Sequence, residues 1–93
     1  MEKLEFDWND EKNKLLKDQR SVCFEDVVTT MQDNRLLDIV KNSSINHPNQ
    51  YCLIINILDY AYVVPFIRNE SIFFLKTIYK SRKETKKYLK GRI

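Results

Sequence analysis

The residues of this chain best suited to chemistry crowd into one segment: Lys76, Tyr79, Lys80, Ser81, Arg82, Lys83, Lys86, Lys87 and Tyr88. Cations beside aromatic rings and hydroxyls suit a nucleic acid, because cations neutralise phosphates and rings take bases. RNA cleavage needs little more. The substrate carries its own nucleophile, the 2′-OH. The protein must hold it in line with phosphorus, neutralise the phosphorane and assist two proton transfers. Lysine and arginine serve the first two tasks. A lysine or tyrosine of shifted pKa, or His47, would serve the third.

Other chemistries are poorly supplied. The single histidine, His47, lies in a polar stretch beside Pro48 and reads as a loop residue. No C-x-x-C, no H-E-x-x-H and no acidic cluster at ligand spacing is present, so neither a metal site nor a cofactor is expected. One glycine in 93 residues excludes a glycine-rich phosphate loop. Cys23 and Cys52 sit in apolar contexts and read as reduced core thiols rather than a disulfide.

Charge is unevenly spread. Residues 1–46 hold 7 basic and 10 acidic side chains, whereas residues 47–93 hold 9 basic and 3 acidic. Most of that excess falls in Lys76–Arg92, a basic stretch suited to a polyanion. At 43% hydrophobic and 31% charged, the composition is that of a globular domain, here one domain over 1–93. The longest apolar runs, Cys52–Ile55 and Ala61–Ile67, fall far short of the roughly 20 residues of a membrane span. Met1–Glu5 lacks the pattern of a secretory signal, so a cytoplasmic protein is expected.

The elements that must position these residues follow from periodicity. Leu4–Trp8 alternates apolar and acidic, as a half-buried strand does. Asn9 or Asp10 can cap a helix that turns Leu15 and Leu16 inward and keeps Lys12, Lys14 and Lys17 wet. Phe24, Val27, Val28 and Met31 form one stripe of a second helix, ended by Asp33-Asn34. Leu36–Val40 reads as a strand and Lys41–Gln50 as a polar loop. Tyr51–Leu58, Tyr60–Ile67 and Ile72–Tyr79 read as three further strands of an antiparallel meander, with turns at Asp59 and Arg68–Glu70. Pro65 lacks an N–H, which predicts an edge strand or a bulge there. Ser81 and Glu84 fit a capping box opening a last helix, with Gly91 at its end. Thr85, Tyr88 and Leu89 form its docking face, leaving Lys83, Lys86, Lys87 and Lys90 outward. The predicted fold is α+β, ordered β-α-α-β-β-β-β-α, an antiparallel sheet with packed helices.

Three blocks carry a family resemblance. Phe6-Asp7-Trp8-Asn9-Asp10-Glu11-Lys12 is similar to the F-x-W-D-x-x-K opening of BrnT-type ribonuclease toxins of bacterial type II toxin–antitoxin systems. Where those proteins read K-H-G-V-S-F-E-E, this chain has Gln19-Arg20-Ser21-Val22-Cys23-Phe24-Glu25-Asp26. Their last strand runs through an S-A-R turn into a charged helix; here Lys80-Ser81-Arg82-Lys83 leads into Glu84–Leu89. The family histidine falls at Arg20 and its glycine at Ser21. The arginine of its R-I-I-S-A-R strand falls at Thr77, with Lys76 beside it. Neighbours on a strand point to opposite faces, so Lys76 replaces that arginine only if the register slips or a bulge intervenes.

The resemblance implies a RelE-like fold, endoribonuclease activity on RNA such as mRNA, and a cognate antitoxin as partner. DNA would be reached only through that antitoxin. It also singles out Lys12. The expected catalytic set is Lys12, Lys76 and Arg82, on the open sheet face, with Lys80, Lys83, Lys86 and Lys87 binding RNA. The competing expectation is a non-catalytic RNA- or protein-binding module of the same fold.

Overall fold

A computed structural model describes residues 5–41 and 50–89. Strand β1 (Glu5–Trp8) leads into helix α1 (Asp10–Arg20) and helix α2 (Phe24–Gln32). Strands β2 (Leu36–Lys41), β3 (Gln50–Ile57), β4 (Tyr60–Asn69), β5 (Ile72–Leu75) and β6 (Tyr79–Lys80) follow, then helix α3 (Arg82–Tyr88). His47, Lys90 and Gly91 lie outside the described residues.

Local chemistry explains the boundaries. The Asn9 side chain accepts from Lys12 N–H, Asp10 and Glu11 occupy the first turn, and Lys17 and Arg20 the last, all favourable to the helix dipole. Helix α1 stops at Ser21, whose φ of 57° is left-handed. Asn13 then joins the two helices. Its Oδ1 accepts from Phe24 N–H at 2.7 Å and its Nδ2 donates to Glu25 Oε1 at 2.7 Å. At the start of α2, Cys23 N–H donates to Asp26 Oδ2 at 3.0 Å.

The sheet order is β1-β5-β4-β3-β2, with β6 also on β4. Strands β2 to β5 form the expected antiparallel meander. The purely antiparallel sheet expected from sequence is corrected by β1, which pairs parallel to β5 from Glu5↔Ile72 to Trp8↔Leu75. That pairing fills the outer edge of β5. The β3–β4 hairpin turns on Leu58 and Asp59, both at positive φ (52° and 64°), as a two-residue turn matched to strand twist requires.

A second correction concerns the last strand. Ile72–Tyr79 is two pieces. Leu75 pairs with Phe66 and Tyr79 with Val63, so Lys76, Thr77 and Ile78 stand opposite Val64 and Pro65 alone. The extra residue makes a bulge. Its cause is Pro65: its carbonyl accepts from Lys76 N–H at 2.8 Å, but it has no N–H to return. The bulge inverts side-chain alternation, so Ile78, instead of Thr77, enters the core with Phe73 and Leu75.

Helices cover both faces. On one face Leu16 of α1 and Phe24 and Val27 of α2 pack with Leu53, Ile55, Tyr62, Val64 and Phe66. Phe6 and Trp8 join this core as expected: Trp8 stacks on Phe24 at 5.6 Å and Phe6 meets Phe73 edge-on at 5.8 Å. On the other face Leu89 and Tyr88 pack with Ile54, Ala61 and Val63.

Helix α3 is pinned chiefly by Thr85, which is fully buried. Its hydroxyl donates to the Ser81 carbonyl at 2.7 Å and accepts from Ala61 N–H at 2.9 Å. The expected capping box is only half formed. Ser81 Oγ accepts from Glu84 N–H at 3.1 Å, but Ser81 N–H is taken by the Ala61 carbonyl. Pairing to the sheet thus replaces the reciprocal cap.

Candidate nucleic-acid interface

The bulge and α1 lie side by side, and this brings distant cations together. Lys12, in the first turn of α1, and Lys76, the first bulge residue, line one cleft of about 520 Å³ with Asn9, Glu11, Leu15, Phe74 and Leu75. Lys76 Nζ sits 5.5 Å over the Phe74 ring. This cleft is open, with Leu15 half exposed at its wall. It presents two ammonium groups, a carboxylate and an aromatic face to whatever enters.

The far end of α1 repeats the arrangement. Arg20 Nη1 donates to the Ile78 carbonyl at 2.6 Å, tying the last turn of the helix to the bulge. Arg20, Tyr62, Tyr79 and Lys80 line a cleft of about 420 Å³. It adjoins a larger one, of about 600 Å³, whose lining includes Arg20, Arg35 and Lys80 together with Asp26 and Asp33. Lys80 Nζ lies 5.3 Å over the Tyr60 ring. The bulge is what puts it there: Lys80 pairs with Tyr62 and shares its face, whereas unbroken alternation would turn it to the face of α3.

Of the expected site residues, the structure therefore joins Lys12 to Lys76 and sets Lys80 at the other end of α1. Arg82 does not line the Lys12–Lys76 cleft. It is exposed at the start of α3, the helix packed on the opposite face. Lys83, Lys86 and Lys87 are exposed on α3, as the docking of Thr85, Tyr88 and Leu89 requires. Tyr88 donates to Asp38 Oδ2 at 2.6 Å, which anchors α3 to β2. That bond holds the Asp38 carboxyl below and the Tyr88 phenol above their ordinary values.

Proton-moving groups near the clefts are few. Burial raises the Tyr79 phenol, and the nearby Cys52 and Glu84 add in the same direction. Tyr79 therefore keeps its proton at neutral pH, and its side chain shares the α3 face with its partner Val63. Burial likewise raises both thiols, Cys23 and Cys52, which are free. Among the described residues, no three His, Cys, Asp or Glu side chains converge as metal ligands do. No described helix is long and apolar enough to cross a membrane.

Sequence reasoning passed over Arg20, Glu11 and Tyr62 as site residues. Arg20 had a signal, since it stands where the resembled toxins have histidine. Glu11 stood only within the opening motif, and Tyr62 read only as a strand residue.

No protein-family model matches this chain, and no curated protein is significantly similar to it.

Proposed function

We propose that this protein is an endoribonuclease toxin of RelE-like fold, acting in the cytoplasm and restrained by a small DNA-binding antitoxin. The observation that carries the reading is the convergence of Lys12 and Lys76 in one cleft from opposite ends of the chain. Structural stability gives no reason to line one cleft with like charges. A phosphate between them does. The bulge supplies the second support, because it is the feature that lets Lys76 replace the arginine of the resembled toxins.

In this reading the two ammonium groups hold the non-bridging oxygens of the scissile phosphate. The 2′-OH gives up its proton to solvent as it attacks phosphorus, the bond to the 5′ oxygen breaks, that oxygen takes up a proton from solvent, and a 2′,3′-cyclic phosphate and a 5′-hydroxyl result. Lys12 and Lys76 act on the charge that grows on the phosphorane, so their effect is larger in the transition state than in the bound state. Lys80, Lys83, Lys86 and Lys87 hold flanking phosphates, and Arg82 stands at the join between β6 and α3 where the strand would leave the cleft.

The test is cleavage of a single-stranded RNA by the pure protein, with products identified by mass. Lys12→Ala and Lys76→Ala are expected to lower kcat by 100-fold or more each, and to be non-additive when combined. Binding without any cleavage by the wild type would instead identify a module of the same fold that binds RNA and does no chemistry.

A further inference from the structure

We propose that the part of its sheet face that α3 leaves open is a nucleobase floor, on which the Tyr79 ring takes the unpaired base next to the scissile phosphate. The inference rests on the proposed RNA-acting function. It adds a residue that positions the substrate and the side of the sheet along which the strand lies.

Register defines the face. Cross-strand partners share a face, and every second residue of a strand returns to it. On β4 that set is Val63, Pro65 and Ile67. Val63 pairs with Tyr79, Pro65 with Cys52 and Ile67 with Phe74. Helix α3 covers one end of the set, where Leu89 packs with Ile54, Ala61 and Val63. Among the described residues, Ile67, Phe74 and Tyr79 belong to neither hydrophobic cluster. Tyr79 is 42% exposed, and Pro65, Ile67 and Phe74 are only partly buried. A ring so exposed offers a surface for a base to stack on. Lys76 opens onto the same face, with its Nζ over the Phe74 ring. Its N–H is bonded to the Pro65 carbonyl, two residues along β4 from the partner of Tyr79. Two residues of strand span about 7 Å. That is within the reach of one nucleotide from its phosphate to its base.

Charge decides the occupant. Lys76 stands on one side of the ring, and Arg82 and Lys83, both exposed, follow it at the start of α3. Glu84 lies near Tyr79, so the ring itself suits an uncharged base while phosphates keep to the cationic rim. Beyond Phe74, Glu5 and Asp7 of β1 stand opposite Ile72 and Phe74 and put carboxylates on the same face. They turn a polyanion away from β1. The RNA therefore runs from Lys76 past Tyr79 toward Arg82 and Lys83. A base inside a duplex is already stacked, so the floor takes single strands. An apolar helix of a protein partner would bury the same rings but leave these cations without counter-charge.

The experiment measures equilibrium binding of a 2′-O-methyl tetranucleotide, which cannot be cleaved by 2′-OH attack, and of versions in which one abasic site is moved along the strand. Proteins are the full chain, Tyr79→Leu and Tyr79→Phe, each checked for an unchanged melting temperature. The wild type is expected to bind the intact strand about 10-fold or more tighter than the version lacking the base that meets Tyr79, with smaller effects at the other positions. Tyr79→Leu should shrink that preference to about 2-fold or less, as expected where a stacking partner is lost. Tyr79→Phe should keep it, because the ring and not the hydroxyl carries the base. A preference preserved in Tyr79→Leu, or lost equally in Tyr79→Phe, overturns the floor. So does wild-type binding that no abasic position weakens, which would leave this face to a protein partner, and so does a lack of binding to the intact strand. Failure of the proposed activity shows separately, as absence of cleavage of unmodified RNA by the wild type.

Discussion

Replacing Thr85 by valine removes one oxygen and little else, and the structure makes that oxygen important. Thr85 is fully buried and so is Ala61. The hydroxyl is the acceptor for Ala61 N–H and itself donates to the Ser81 carbonyl. Valine nearly preserves the shape, so the change should leave no cavity. It strands the Ala61 N–H without an acceptor, at a cost of about 1–3 kcal/mol. It also removes the hydroxyl's own bond, worth about 1 kcal/mol net. The added methyl recovers part of this, leaving a loss of about 2–3 kcal/mol. Domains of this size lose ~4–8 °C in Tm per kcal/mol, so a drop of ~8–24 °C is expected in a thermal melt followed by circular dichroism. Thr85→Ser is the control. It keeps both bonds and loses one buried methyl, about 0.8 kcal/mol, hence a few degrees. The hydroxyl outweighs the methyl on these figures. A Thr85→Val protein melting within 2 °C of wild type, or above Thr85→Ser, would refute the assignment of α3 anchoring to this bond.

Other outcomes follow from the same structure. Asn13→Ala should cost about 1–3 kcal/mol, read as a lower urea midpoint, because the N–H of buried Phe24 loses its acceptor. Ser21→Gly should raise Tm by a few degrees, since a left-handed φ of 57° strains a residue with a side chain. Asp38 is held low by Tyr88, so its contribution is present above its unfolded value and fades as pH falls through the lower folded one. Tyr88 is held high, so its contribution is present below its ordinary value and fades as pH rises through the raised one. Tyr88→Phe should therefore raise the Asp38 titration, followed by NMR, toward the ordinary carboxylate range, the Ile39 N–H keeping part of the lowering. If α3 meets RNA phosphates, Lys83→Gln and Lys86→Gln should each flatten the slope of log affinity against log salt by a little under one. An unchanged slope would place the strand elsewhere.

Where a signal was local, the sequence carried it far. The stripe Phe24, Val27, Val28, Met31 defined α2, the alternation in Leu4–Trp8 defined β1, and Ser81 marked the start of α3 within one residue. Thr85, Tyr88 and Leu89 were legible as the docking face of α3 because helical period alone brings them together. The outward lysines of α3 followed from the same arithmetic. Pro65 announced an irregularity, since a residue without an N–H must disturb a ladder somewhere.

What needed tertiary structure were the consequences of pairing. Two readings of Pro65 were open, an edge strand or a bulge. β4 proved to be interior, so the break fell on its partner at Lys76–Ile78. Parallel pairing of β1 with β5 carries no local pattern, because it depends on which edge is vacant once the meander has formed. The meeting of Lys12 with Lys76, and of Arg20 with Ile78, joins residues remote in the chain. Periodicity reports on neighbours within a few residues and is silent on such encounters. The residue types from which a site can be made were determined by the sequence; the one-residue shift at the bulge, visible only in the paired sheet, decided which of them face one another.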